Sequence, residues 1–509
     1  MTERRRTWAW ALAASAAALL VRSASLNLFL DRDEGEYATL AWLWRSGAGL
    51  PYRDWLEQKP PLAIAMNALA QWAFSDGVLG LRVVSLAWVL ATVVALFVLV
   101  DALARRGRMG WRLQRGPGQR AAAAGLAALL AALLLSELRT QSLAANTETW
   151  QTLPLLGALA LLFLPEPRSL GAGRHFAAGI LIGIAALFKQ TAFSAVVLLP
   201  WAAQDSEGGQ LRFGRAVAWT LLGGLLPWAL CIGIFAAQGG ALEFLQCTIG
   251  YNEGYVLQGL QGAFGHAFGL AWHLAPVLAA PAWLAWLGWR ALGRDRARRG
   301  WLGAWLAVGA LALASSGRFY PHYVVLLLAP LAVLAAVGLM GLQQQGPGWT
   351  LLRAPRALRL VLAALTLCGF AWCDGVLWER PGGADRTASV YRVPTFVTAP
   401  EAAVKLRQIC PPGEAVFIWG DDPELYYLAQ RRPATRFLFT YPFTGEAPPW
   451  PGGDHEMLTG LMDSGTGAAV MSKGLDPNVP MQEGLFRALK DEFKADDSVQ
   501  GYILGARRR

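Results

Sequence analysis

The chain has 509 residues, 55% of them hydrophobic and only 16% charged, with a mean hydropathy of +0.35. Soluble globular chains carry roughly a quarter charged residues, so this composition excludes a purely soluble protein and points to a polytopic membrane protein with a smaller soluble part. The net charge of +10 does not imply a nucleic-acid partner, because the basic residues lie in short loops between apolar runs, as membrane topology dictates, without the aromatic interleaving of single-strand binders.

Apolar runs of spanning or near-spanning length fall at about 8–30, 79–101, 121–136, 149–164, 175–188, 191–204, 216–237, 269–290, 301–315, 322–341 and 358–375, which predicts about eleven helices. The first run has basic flanks like a signal peptide. It is long enough to span, ends in acids and has no clear small-residue cleavage site, so it reads as a retained helix. Arg4, Arg5 and Arg6 precede it. Arg105, Arg106, Arg108, Arg112, Arg115 and Arg120 fill a second loop; Arg294, Arg296, Arg298 and Arg299 a later one; Arg353 and Arg356 another. Placing all of these in the cytoplasm satisfies the positive-inside rule. It puts 31–78, 137–148, 238–268, 316–321 and the tail after 376 on the outer side.

This parity requires that 61–75 not span. The segment is short, carries Asn67 and Gln71, and suits an amphipathic helix lying in the interface plane. Tyr37, Trp42, Trp44, Trp55 and Trp72 fit the same level. After 376 charged residues return. Strands are predicted at Val416–Gly420, Arg436–Thr440, Ala468–Met471 and Val499–Leu504, and helices at Pro423–Gln430, His455–Asp463 and Met481–Lys494, with Gly/Pro loops at 381–386 and 447–453. The expected architecture is a polytopic α-helical membrane domain over 1–375, with its outer loop at 31–78, and a soluble α/β domain over 376–509. Cys231 and Cys368 sit in apolar runs, and Cys247, Cys373 and Cys410 are scattered, so neither a metal site nor a disulfide framework is expected.

The chemistry concentrates at 31–37, Asp-Arg-Asp-Glu-Gly-Glu-Tyr, where Asp31, Asp33, Glu34 and Glu36 crowd a membrane boundary. Asp33 as an N-cap with Glu36 three residues on would account for two of these acids. A general base beside a cation site would account for all of them. Glu57-Gln58-Lys59-Pro60-Pro61 holds an ammonium in a rigid frame, which suits a phosphate contact; alone it would read as a snorkelling lysine. Asn146-Thr147-Glu148 opens a helix and reads first as a cap. Lys189-Gln190 is either a polar turn or a second phosphate contact. Ser316–Tyr323 gathers Arg318, Tyr320, His322 and Tyr323 in one outer loop, as a headgroup pocket or an aromatic belt. His322 has no partner at metal-ligand spacing. Trp419-Gly420-Asp421-Asp422-Pro423 reads as a βα turn in which Asp422 caps the next helix.

With these residues in place, the chain resembles polyprenyl-phosphate-sugar-dependent membrane glycosyltransferases of the multi-spanning GT-C class: glycosyltransferase family 39 and the aminoarabinose lipid A transferases, and more distantly the protein O-mannosyltransferases. The resemblance rests on Asp33-Glu34-Gly35-Glu36-Tyr37, Lys59-Pro60-Pro61-Leu62, Asn146-Thr147-Glu148 and Gly317–Tyr323, and covers about residues 1–375. It implies that Asp33 is the catalytic base and that Lys59 contacts the donor phosphate; Arg318, from the residues of its own outer loop, is a further candidate for pairing with that phosphate. Glu34, Glu36, Tyr37, Glu148, Lys189, Tyr320, His322 and Tyr323 are the further site candidates. Aminoarabinose transferases carry Glu-Lys-Pro with the glutamate as a metal ligand. Gln58 stands at that position here, so a divalent metal is left open as cofactor, with Glu34, Glu57 or Glu148 as the substitute ligands. The implied reaction is an inverting transfer from a polyprenyl-phosphate sugar donor to a lipid, polysaccharide or protein acceptor, on the periplasmic side of a bacterial inner membrane. A transporter or flippase is the alternative. Such folds show inverted repeats and polar groups at mid-membrane, whereas this chain has no repeat and its polar motifs lie in the outer loops. A non-catalytic scaffold would not need the acid and lysine pair.

Overall fold

The computed structural model describes residues 3–105, 117–164, 171–198, 210–292, 296–340, 356–380, 382–445, 447–463, 465–472, 487–488 and 490–508. The chain forms two compact units. One comprises Met1–Leu26, Val83–Cys231 and Gly262–Glu379; the other comprises Asn27–Arg82, Ile232–Gln261 and Arg380–Arg509. The second unit is therefore larger than the tail predicted from sequence, since it takes in the expected outer loop 31–78 and most of 238–268, whereas 137–148 and 316–321 belong to the first unit.

The first unit is helical. It contains α1 (Glu3–Ser23), α5 (Pro117–Leu134), α6 (Thr147–Phe163) and α7 (Ala172–Ala186), and most of α4 (Val78–Arg105). Among the described residues five helices are long and apolar enough to cross a membrane: Val78–Arg105, Phe213–Ala237, Ala263–Ala291, Pro321–Met340 and Ala357–Glu379. The apolar run at 8–30 ends as a helix at Ser23, where Arg22 turns inward and donates to the carbonyls of Leu135 at 2.7 Å and Ser142 at 2.8 Å. The run at 191–204 is not an α-helix where described. Gln190–Leu198 is a 3₁₀ segment, and 199–204 lies outside the described residues. Glycines let backbones meet. A Cβ on Gly288 would fall 2.0 Å from the Leu334 carbonyl oxygen, and one on Gly338 would fall 2.0 Å from that of Leu284. Small residues at such crossings allow the van der Waals contact that holds apolar helices together in lipid.

The second unit is built on a four-stranded sheet of order β1-β2-β4-β3. β1 (Ala415–Trp419) runs parallel to β2 (Thr466–Ser472). β2 pairs antiparallel with β4 (Tyr502–Arg507), and β4 with β3 (Phe493–Asp496). Arg436–Thr440, predicted as a strand, is irregular; its backbone is satisfied instead by Leu56 N–H donating to the Arg436 carbonyl at 2.8 Å and by Asp421 accepting from Thr440 N–H at 3.0 Å. The helix predicted at 481–494 ends as β3, and 481–486 lies outside the described residues. Residues 241–261 form short helices and 263–268 open the long Ala263–Ala291 helix, while the loop predicted at 381–386 opens the Gly383–Tyr391 helix, followed by Pro394–Ile409.

α2 (Arg32–Arg45) and α3 (Leu62–Phe74) belong to this unit's core. Tyr37, Leu40, Leu43, Trp55 and Ile64 pack in one cluster with Leu406, Ile418, Leu425 and Leu504, and Trp42 and Trp44 lie against it. These aromatic residues are core groups rather than an interfacial belt. Of the five expected there, Trp72 alone is largely exposed, beside Leu69 and Phe74 on the outer edge of α3.

Candidate active site

The acidic motif is resolved by where α2 begins. Arg32 is already helical, so the extended residue before it, Asp31 (φ −85°, ψ 178°), is the N-cap. Its carboxylate accepts from Glu34 N–H at 2.8 Å, and Glu34 accepts from Asp31 N–H at 3.2 Å, a complete capping box. The expected cap at Asp33 is thus displaced by two residues. Asp33 sits in the first turn, where a carboxylate is favoured by the helix dipole.

Glu34 goes elsewhere. Both its oxygens engage the Arg82 guanidinium, Nη2 to Oε2 at 2.8 Å, and the two side chains are buried. Arg82 also donates to the Phe29 carbonyl at 2.7 Å, which ties the chain entering α2 to the start of α4. Gly35 is needed for packing. A Cβ there would lie 2.6 Å from the Cβ and 2.8 Å from the backbone nitrogen of Glu424, at the start of the Glu424–Ala429 helix.

Arg32 turns away to Asp421, donating to its carbonyl at 3.1 Å, whereas Asp33, Glu36 and Tyr37 face Lys59. Its ammonium lies 3.3 Å from Asp33 Oδ1, 3.5 Å from Glu36 Oε2 and 5.0 Å from the Tyr37 ring centroid. Lys59 is 15% exposed and Asp33 24%, against 1% for Glu36, so the lysine and the aspartate form the accessible edge of the cluster. The turn that carries Lys59 is held on every side. Lys59 N–H donates to Glu57 Oε1 at 2.7 Å, Tyr52 O–H donates to the Lys59 carbonyl at 2.8 Å, and Asn252 donates to the Gln58 carbonyl at 2.7 Å.

Burial, with the Glu57 charge next in weight, drives the Glu36 carboxyl well above the usual carboxylate range. Burial also raises Glu57, whose carboxyl hydrogen-bonds that of Glu36. One shared proton is the arrangement that satisfies the facing Glu36 Oε1 and Glu57 Oε2, which otherwise lack partners. Burial alone would depress Lys59, but Asp33, Tyr37, Glu36 and Glu57 outweigh it and the amine stays protonated.

The other sequence candidates assemble in the first unit. Lys189 Nζ lies 2.5 Å from Glu148 Oε1 and 3.4 Å from the Tyr323 ring centroid, and Thr147 O–H donates to the other Glu148 oxygen at 2.9 Å. His322 Nδ1 is 3.1 Å from Gln141 Oε1, and the rings of Tyr320, His322 and Tyr323 pack on one another at 4.9–5.9 Å. Asn146 is the N-cap of α6 but makes no side-chain cap bond. Arg318 is half-buried in the turn before this aromatic group.

Asp422 does not cap the next helix. It accepts from Ser472 and from Tyr502 O–H, the latter at 3.1 Å, and so binds β1's end to β2 and β4. All five cysteines are free. Arg82 and Tyr441 escaped sequence reading. Arg82 had a legible signal, an arginine in the first turns of a long apolar run. Tyr441, whose hydroxyl feels Glu36 and Glu57, had none.

No protein-family model and no curated protein sequence matches the chain. Its fold is similar to that of ArnT from Cupriavidus metallidurans bound to undecaprenyl phosphate, at a TM-score of 0.60 and 18% identity, with 98% of each chain covered. It is also similar to the oligosaccharyltransferase AglB from Archaeoglobus fulgidus in complex with an inhibitory peptide and a dolichol-phosphate, at a TM-score of 0.54 and 14% identity over 98% of this chain and 74% of that one. The helical, membrane-length part of the expected architecture agrees with these similar folds, with five rather than about eleven helices long and apolar enough to span among the described residues.

Proposed function

We propose that this chain is an integral-membrane glycosyltransferase that moves a sugar from a polyprenyl-phosphate donor to a lipid, polysaccharide or protein acceptor by a single inverting displacement. The observation that carries this reading is the Asp33–Lys59 pair, a carboxylate on a rigid helix 3.3 Å from an ammonium fixed by its own turn, both at the accessible edge of a buried cluster. The lipid phosphates bound by the two similar folds support the donor class.

Asp33 accepts the proton of an acceptor hydroxyl, whose oxygen attacks the anomeric carbon. The bond from that carbon to the phosphate oxygen breaks and its electron pair leaves with the phosphate. A phosphate leaving group needs no general acid; it needs positive charge where the negative charge develops. Lys59 supplies it. Lys59 also pairs with Asp33, so donor phosphate competes for the ammonium and leaves the aspartate more basic beside the acceptor. The positive-inside distribution of arginines supports the periplasmic side for this chemistry.

The test is consumption of labelled polyprenyl-phosphate hexose and pentose donors by the purified protein in nanodiscs, with lipid extract as acceptor. Turnover by wild type and not by Asp33→Asn is expected. Equal turnover by both would remove Asp33 from its role, and absence of both donor turnover and donor binding would overturn the class.

A further inference from the structure

A divalent cation is the cofactor that the Glu-Lys-Pro resemblance raises. A hard-cation site needs several deprotonated oxygen ligands around one point, and each candidate here can be checked against that need. Glu34 has both oxygens on the buried Arg82 guanidinium, and Oε2 also takes the Asp31 N–H. Glu148 is engaged by Lys189 at 2.5 Å and by Thr147, and Lys189 is itself seated on the Tyr323 ring. Glu57 gives one oxygen to Lys59 N–H, and its carboxyl hydrogen-bonds Glu36. Asp31 is consumed by its cap. Position 58 offers a neutral amide. Among the described residues no three His, Cys, Asp or Glu side chains converge as a metal-ligand group. The donor set does not fit a metal. Where a ligand carboxylate is expected, this chain repeatedly sets a fixed basic side chain against it.

We infer that this protein works without a divalent cation, the positive charge at the transferred phosphate being supplied by Lys59, held by the Glu57–Pro61 turn and the Tyr37 ring. The inference rests on the glycosyl-transfer reading above and narrows it. The balance closes without a co-reactant: the acceptor proton ends on Asp33, the electron pair of the broken bond ends on phosphate, and the ammonium keeps its three protons throughout.

The experiment uses wild-type protein in nanodiscs, stripped with EDTA and passed through gel filtration. Metal content is read by mass spectrometry, and binding of Mn²⁺, Mg²⁺ and Zn²⁺ by titration calorimetry, in parallel with donor turnover before and after chelation. The expected result is no stoichiometric ion retained, no saturable heat of ion binding, and unchanged turnover after chelation. One ion retained per chain, or a loss of turnover of about tenfold or more that an added ion restores, would overturn the inference. If no donor is turned over under any condition, the glycosyl-transfer reading falls instead, while the metal content and calorimetry still decide whether the carboxylates bind an ion.

Discussion

Asp33 and Asp31 are two residues apart and have separate surroundings, Asp31 accepting from Glu34 N–H and Asp33 facing the Lys59 ammonium. Asp31 caps α2 with its side chain and Asp33 does not, so Asp33→Asn should keep the cap and lose only the Lys59 pair and the helix-dipole contact, about 0.3–1 kcal/mol, while lowering donor turnover by roughly 10²–10⁴-fold, the span of a lost general base. Asp31→Ala should do the reverse first, costing about 1 kcal/mol of stability through the lost cap, which thermal unfolding in nanodiscs reads directly. Lys59 carries the second residue-scale prediction. Lys59→Gln removes the charge that balances the leaving phosphate and should lower kcat/KM for the donor by about 10²–10³-fold, whereas Lys59→Arg, which keeps the charge, should retain part of it. Steady-state kinetics over a donor series would tell the two apart. The acids and the lysine were legible as a pair in the sequence because their types and spacing are unusual at a membrane boundary. Which acid caps and which faces the lysine was not, because that depends on the residue at which the backbone turns helical.

At the scale of elements, α2 is held by its neighbours on both flanks. Arg82 grips Glu34, Thr39 O–H donates to the Pro423 carbonyl at 2.8 Å, and Gly35 lets the Glu424–Ala429 helix approach to backbone contact. Gly35→Ala places a methyl where Glu424 backbone already lies, so α2 must shift. We expect a loss of about 1–3 kcal/mol, typical of overpacking, together with reduced turnover as Asp33 moves relative to Lys59. Gly35→Ala with full stability and activity would show that α2 tolerates displacement. The helices of the second unit at Pro423–Gln430 and His455–Asp463, and the strand at Ala468–Met471, were close to legible from their periodicity and turn residues. The Arg436–Thr440 segment was not, because its alternation is that of a strand while its hydrogen-bond partners are a loop and a side chain.

At the scale of the molecule, the pH response of stability has an identifiable source in the first unit. Glu137 lies in the segment between α5 and α6, and burial pushes its carboxyl up to about 7 from an ordinary 4.5. Below pH 4.5 the group is neutral in both folded and unfolded chains and contributes nothing. Between 4.5 and 7 the unfolded chain loses this proton while the folded chain keeps it, so stability falls as pH rises, by about 3 kcal/mol in all, and then levels off. Glu137→Gln, neutral at every pH, should flatten this decline, which unfolding midpoints at pH 4.5 to 8 would measure.

The sequence by itself determined that the chain carries membrane-length apolar runs, that its polar residues gather in a few motifs, and that the acids of 31–37 and Lys59 stand together at the end of an apolar run. These follow from composition, run length and residue type, which act locally. Tertiary structure alone decided that the acidic segment belongs to the core of the second unit, that Glu34 and Glu148 are consumed by Arg82 and Lys189, and that Gly35 is required for contact. Those outcomes depend on residues 41 to nearly 400 positions apart meeting in space, and side-chain pairing and packing at that range leave no period in the sequence to read.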